Sequence, residues 1–161
     1  MRTEKKLTER IIIALDVGSR DEALFLVKEL PQAEIFKVGL TLFTAEGPSL
    51  VREIQDLGKK TFLDLKLHDI PNQIAGAVEA GAGLGVHMMT LHASGGREMM
   101  ARAADTARRE SEEMGTPKPL LLAVTVLTSL KEEQLRDIGM NDGIFEQVLR
   151  LARLAEEEGM D

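Results

Sequence analysis

The sequence predicts an α/β fold, a parallel sheet covered by helices, and two observations carry the prediction. Short apolar or β-branched runs alternate with longer stretches of helical period, in five strand-then-helix units. The strand runs are continuously apolar, as befits strands buried on both faces. An open doubly wound sheet and a closed eight-stranded barrel both fit this pattern.

The first strand is "IIIALD" (11–16), a buried run, and the helix "DEALFLVKEL" follows with Ala23, Val27 and Leu30 on one face, ending at Pro31. "IFKVG" (35–39) is the second strand. A helix from about Pro48, a residue tolerated at a helix start, turns Leu50, Val51, Ile54 and Leu57 inward and stops at Gly58. "KTFLDLK" (60–66) is the third strand. The next helix starts near Pro71 with Ile74, Ala77, Val78 and Gly81 on one side, and it leads to a fourth strand, "VHMMTLH" (86–92). A Met- and Ala-rich helix from about Gly96 is broken by "GTPKP" before the fifth strand, "LLLAVTVL" (120–127). The last helix runs from about Asp142 to Glu158, with Ile144, Val148, Leu151 and Ala155 facing the sheet.

A chain of 161 residues suits a single domain, 1–161, or a piece of a larger one. With 43% apolar residues it has material for a sizeable core, and a formal charge of -7 gives no general reason to bind nucleic acid or an anionic membrane. Cysteine is absent, which excludes disulfides and thiolate metal sites. The polar "MRTEKKLTER" leads into an apolar run too short for an export signal or a membrane span, so the cytoplasm is the expected location.

Polar residues fall at the carboxyl ends of the strands. Asp16 ends the first, Lys37 lies late in the second, Asp64 and Lys66 end the third with Asp69 just beyond, His92 ends the fourth, and Thr128 and Ser129 follow the fifth. Barrels build active sites at that rim from several strands, whereas an open sheet uses its strand ends only near the switch point, so the barrel is favoured. Several of these residues also have plain structural uses. Asp16 could cap a turn, Lys37 could snorkel from an edge, and "ASGG" (93–96) is a common loop composition. His68, His87 and His92 lack tight ligand spacing and read as structural; Met88, Met89, Met99 and Met100 read as core fillers. The group in "DLKLHDIP" is different. Alternation puts Asp64 and Lys66 on one face, and folding alone gives no reason to hold such a pair there, since apolar replacements are often no less stable.

These residues resemble a known family. "DLKLHDIPN" (64–72) is similar to the signature of the orotidine 5'-phosphate decarboxylases, and "ALD" (14–16), "FKVG" (36–39), "HASGG" (92–96) and "VTVLTS" (124–129) extend the likeness in order, one per unit. The resemblance implies a dimeric (β/α)8 TIM barrel, of which this chain holds about five βα units, the N-terminal five-eighths. It implies conversion of orotidine 5'-monophosphate to uridine 5'-monophosphate and carbon dioxide, in pyrimidine biosynthesis, without metal or organic cofactor. Lys66 would then donate the proton to C6, and Asp64 would lie beside the departing carboxylate. Lys37 would bridge the ribose and the carboxylates, Asp16 would bind a ribose hydroxyl, and Thr128 and Ser129 would meet the base. Asp69 would reach across the dimer interface into the partner's site, with Ile70, Pro71 and Gln73 bordering the ligand.

The chain departs from the family at Gln73, usually threonine, and at Leu67, often phenylalanine. Length is the larger departure, since a complete barrel needs at least about 200 residues. The units beyond the fifth would supply a lid and a phosphate-gripping arginine, so this chain alone is expected to turn over weakly or not at all, and the coding sequence is expected to run on from Asp161 into a sixth strand. A magnesium-dependent sugar-phosphate decarboxylase or aldolase of the same superfamily shares the Asp-x-Lys-x-x-Asp pattern, but "HDIPN" and "VTVLTS" speak against it. A third reading is a catalytically silent module that assembles through strand edges at its first and fifth strands.

Overall fold

The computed structural model describes residues 10–161, so the expectation drawn from the polar leader lies, for residues 1–9, outside the described residues. Five strands form one sheet: β1 (Ile12–Ala14), β2 (Ile35–Gly39), β3 (Lys60–Leu67), β4 (Met88–His92) and β5 (Leu120–Val124). Every pairing is parallel and the spatial order is β1-β2-β3-β4-β5. A doubly wound sheet must reverse its order at a switch point. This one does not, and it is therefore the sequential sheet of a TIM barrel, five units of it.

Helices α1 (Arg20–Glu29), α2 (Leu40–Asp56), α3 (Pro71–Gly83) and α4 (Arg97–Met114) connect successive strands, and α5 (Glu132–Asp137) and α6 (Ile144–Glu157) follow β5. The register assigns the two faces of the sheet. Val38 pairs with Leu63 and Leu63 with Met89, and these join Phe36, Leu91 and Leu121 in the buried layer beneath the helices. Lys37 pairs with Phe62 and Gly39 with Asp64, which puts the charges on the opposite face, toward the barrel axis. The helix side closes by ordinary apolar packing: Val27, Leu50, Ile54, Val78 and Met100 are all inaccessible or nearly so.

Several expected boundaries are corrected. The run 11–16 is not a buried strand. Only Ile12–Ala14 pairs, and β1 is an edge whose inner face is open, leaving Ile12 40% exposed. The helix expected from Pro48 is there, but a helical segment from Leu40 precedes it, and the two meet at Gly47, whose φ of 67° and ψ of -166° break the helix before the proline restarts it. Arg20 clips that kink to α1, through Glu46 at 3.3 Å and Glu53 at 2.8 Å. Leu57, expected inward, is exposed because it caps α2 where the chain turns at Gly58. The fourth strand begins at Met88, not Val86. The fifth stops at Val124, not Leu127, since its partner β4 ends at His92, opposite Val124, and leaves nothing further to pair with. Helix α5 was not anticipated; six residues carry no legible period, and Leu135 alone anchors it. Ile144 is only half-buried.

The kink offers a clean test, because a Cβ added at Gly47 would meet nothing within 4 Å and only the backbone would object. Gly47→Ala is expected to destabilise the chain by about 1–3 kcal/mol. Gly76→Ala, in the exposed interior of α3 and equally free of contacts, should stabilise it by about 0.4–1 kcal/mol. Urea unfolding should show midpoints moving in opposite directions at unchanged slope.

Candidate active site

The strand ends bring four charges into a line of alternating sign. Asp16 lies just past β1, Lys37 in β2, and Asp64 and Lys66 in β3. Lys37 Nζ stands 3.2 Å from Asp16 Oδ1 and 3.7 Å from Asp64 Oδ2, and Lys66 Nζ is 2.8 Å from Asp64 Oδ1. Asp64 is thus clasped between two ammonium groups. Its side chain is 16% exposed and that of Lys37 19%, while Asp16 at the outer end is 76% exposed. Burial alone would raise the carboxyl pKa of Asp64. The hydrogen bonds from Lys66 and from Thr90 in β4, with the charges of Lys66 and Lys37, outweigh it and hold the group below its ordinary 3.8.

Simple alternation does not account for how Asp64 and Lys66 meet. Between the pairs Leu63–Met89 and Leu67–Leu91, β3 advances four residues while β4 advances two, so β3 is bulged at its carboxyl end. Lys66 has a φ of 51° there, the sole positive value on a non-glycine among the described residues. Such a backbone costs on the order of 1–3 kcal/mol and persists only where its surroundings impose it. Thr90 is part of what imposes it: its hydroxyl accepts the Lys66 N–H at 2.9 Å and donates to Asp64 Oδ1 at 2.9 Å. The sequence reading missed Thr90. The available signal was a hydroxyl inside an otherwise apolar strand.

A cleft of about 420 Å³ opens on these charges, with Leu15, Val17, Leu40, Leu42 and Leu65 forming its apolar walls. A slot with apolar walls and two ammonium groups alternating with two carboxylates along its base suits a flat ligand whose polar edge meets charges of both signs.

The other expected site residues stand apart from this cleft within the chain. Asp69 is exposed and its Oδ1 accepts the Ile70 N–H at 2.7 Å; Ile70 is 64% exposed. Pro71 opens α3, and Gln73 is exposed in its first turn. Thr128 and Ser129 lie exposed in the turn after β5 and do not line the cleft. The rings of His68 and His92 are 5.4 Å apart, whereas His87 precedes β4 at its far end. Among the described residues no group of three or more His, Asp or Glu is disposed to hold a metal ion.

Comparison with known proteins adds to the geometry. The family described as "Orotidine 5'-phosphate decarboxylase / HUMPS family" matches residues 9–161. An orotidine 5'-phosphate decarboxylase of Syntrophomonas wolfei is 48% identical over 155 residues, covering 94% of this chain and 65% of the relative. One from Moorella thermoacetica is also 48% identical, covering 95% of this chain and 62% of the relative. The chain therefore spans somewhat less than two thirds of the length of these curated relatives. Among solved structures, an orotidine 5'-phosphate decarboxylase from Lactobacillus acidophilus superposes with a TM-score of 0.84 at 36% identity, over 94% of this chain and 68% of that one. An uncharacterized conserved protein from Geobacillus kaustophilus superposes with a TM-score of 0.88, also at 36% identity, over 93% and 70%.

The perturbed groups make stability depend on pH in two windows. Burial, with the nearby His68 and Lys66, lowers the pKa of His92 below its ordinary 6.5. The unfolded chain then binds a proton that the folded chain resists, so stability falls as pH drops below 6.5 toward the lowered value. Asp64, also lowered, contributes stability that is present above 3.8 and lost as pH falls through its folded value. Urea unfolding at pH 7.5 and 5.5 should show a smaller loss for His92→Gln than for the parent. Asp64→Asn should flatten only the acid limb.

Proposed function

Since this chain belongs to the orotidine 5'-phosphate decarboxylase / HUMPS family, we propose that its cleft carries the catalytic charges for converting orotidine 5'-monophosphate to uridine 5'-monophosphate. The observation that carries the reading is the alternating line Asp16, Lys37, Asp64, Lys66. Loss of carbon dioxide from C6 leaves an electron pair in the ring plane, where the π system cannot spread it. An ammonium beside that carbon stabilises the pair and then protonates it, and Lys66 is the cation at the open end of the line, with a half-exposed side chain.

Asp64 takes the place beside the departing carboxylate. Two carboxylates in contact repel, and the repulsion ends when carbon dioxide leaves; Lys37 and Lys66 hold the Asp64 side of that contact ionised. Lys37 also reaches toward the ribose, Asp16 takes a ribose hydroxyl, and Thr128 and Ser129 approach the base. The chemistry asks for an acid and an electrostatic environment that the side chains themselves provide, so neither metal nor organic cofactor enters the scheme.

Asp69, Ile70, Pro71 and Gln73 serve the site of a second copy in a homodimer. The exposure of Asp69, Ile70 and Gln73 supports this, for a side chain turned away from its own cleft is free to enter a neighbour's. The nucleotide substrate supports a cytoplasmic location, and among the described residues no helix is long and apolar enough to cross a membrane. The magnesium-dependent sugar-phosphate reading is less favoured, because the relatives at 48% identity are named for the nucleotide reaction.

Mixing variants tests the acid and the dimer together, in this chain and in any longer protein that contains it. Lys66→Ala and Asp69→Ala are each expected to lose at least about a hundredfold in carbon dioxide release. Equal mixing should then restore about a quarter of the parent activity through dimers with one intact site. Near-normal turnover by folded Lys66→Ala contradicts its role; two inactive variants that stay inactive when mixed contradict the shared site.

A further inference from the structure

We infer that Thr90 is the positioning residue of the site: its hydroxyl locks the bulge of β3 and so fixes where the Lys66 ammonium stands. The catalytic meaning of this inference rests on the decarboxylase reading; the structural part does not.

Regular alternation would turn the Lys66 N–H toward β2, as the Lys60 N–H meets Glu34 O, but β2 ends at Gly39, opposite Asp64, and offers no strand carbonyl there. The bulge between Leu63 and Leu67 turns that N–H toward β4 instead. A buried N–H left without a partner is costly, and the Thr90 hydroxyl stands in for the missing carbonyl at 2.9 Å. A threonine hydroxyl has one proton to give, and Thr90 gives it to Asp64 Oδ1, also at 2.9 Å. The same oxygen accepts from Lys66 Nζ at 2.8 Å. The bonds close a ring that begins and ends on Lys66: main-chain N–H to hydroxyl, hydroxyl to carboxylate, carboxylate to ammonium. One residue is thereby held at both its backbone and its tip while its φ sits at 51°, which a lysine does not adopt freely.

Direction matters as much as contact. Because the hydroxyl proton is committed to Asp64, its lone pairs face Lys66, and the polarity of the ring is set by the carboxylate's charge. Thr90 is only 5% exposed, and its neighbours Met89 and Leu91 are buried on the helix side, so water has little room to replace the hydroxyl. A valine of the same shape would fill the space and leave the Lys66 N–H unpaired. A serine would keep the ring.

The test compares Thr90→Val with Thr90→Ser in the full chain. Nuclear magnetic resonance reads the carboxyl titration of Asp64 and the exchange of the Lys66 amide. Thr90→Val is expected to move the Asp64 midpoint upward and to speed Lys66 amide exchange by about tenfold or more. Thr90→Ser should leave both near the parent values. Where turnover is measurable, Thr90→Val should lower kcat by about tenfold or more with KM little changed, and Thr90→Ser should restore it. An unmoved Asp64 midpoint in Thr90→Val, or a Thr90→Ser variant as impaired as Thr90→Val, overturns the inference. If Thr90→Val does not fold, a fast-exchanging Lys66 amide in the parent or in Thr90→Ser overturns it, and protection in both upholds it. A longer protein that contains this chain and shows no turnover counts against the decarboxylase reading, while the titration and exchange still report on Thr90.

Discussion

One carboxylate organises this rim. Asp64 is mostly buried, and it is tolerable there only because Lys66, Thr90 and Lys37 surround it with two cations and a hydroxyl. Each lysine in turn depends on Asp64 for its position, since Lys37 would otherwise lean on the exposed Asp16 alone. The bulge in β3 and the positive φ of Lys66 follow from the same demand. A regular strand would place the two side chains by alternation; the bulged one adds a backbone contact to β4 that alternation cannot give.

The rest of the fold serves this constraint at a distance. Sequential parallel order aligns all the carboxyl ends on one side, so three neighbouring strands can each contribute a charge to one cleft. The apolar layer of Phe36, Val38, Leu63 and Met89 makes the opposite face of the sheet rigid, and a charged cluster of this density needs a support that does not yield. The Arg20 clip and the Gly47 kink shape α2, whose first turn supplies Leu40, Thr41 and Leu42 to the cleft wall.

Much of this was legible in the sequence, for identifiable reasons. Continuous apolar runs announced buried parallel strands, and Asp64 and Lys66 stood out because a buried strand end has no structural use for them. Composition alone could not reveal what depends on pairing. Strand β5 ends where β4 ends, and β1 is half-exposed because it is an edge. Thr90 escaped notice because a lone threonine in a strand is ordinary, and only the bulge opposite gives its hydroxyl two jobs. The helical turns before Pro48 were hidden by a correct rule applied too early, since a proline can restart a helix as well as begin one.

The central claim is that the Asp64–Lys66 pair is held for chemistry and contributes little to folding. The most direct measurement is the unfolding free energy of the double variant Asp64→Asn, Lys66→Met, read beside its affinity for uridine 5'-monophosphate by calorimetry. The account predicts a chain at least as stable as the parent, with binding weakened by about tenfold or more. A double variant destabilised by more than about 3 kcal/mol, with binding intact, would make the pair a structural one and contradict the account.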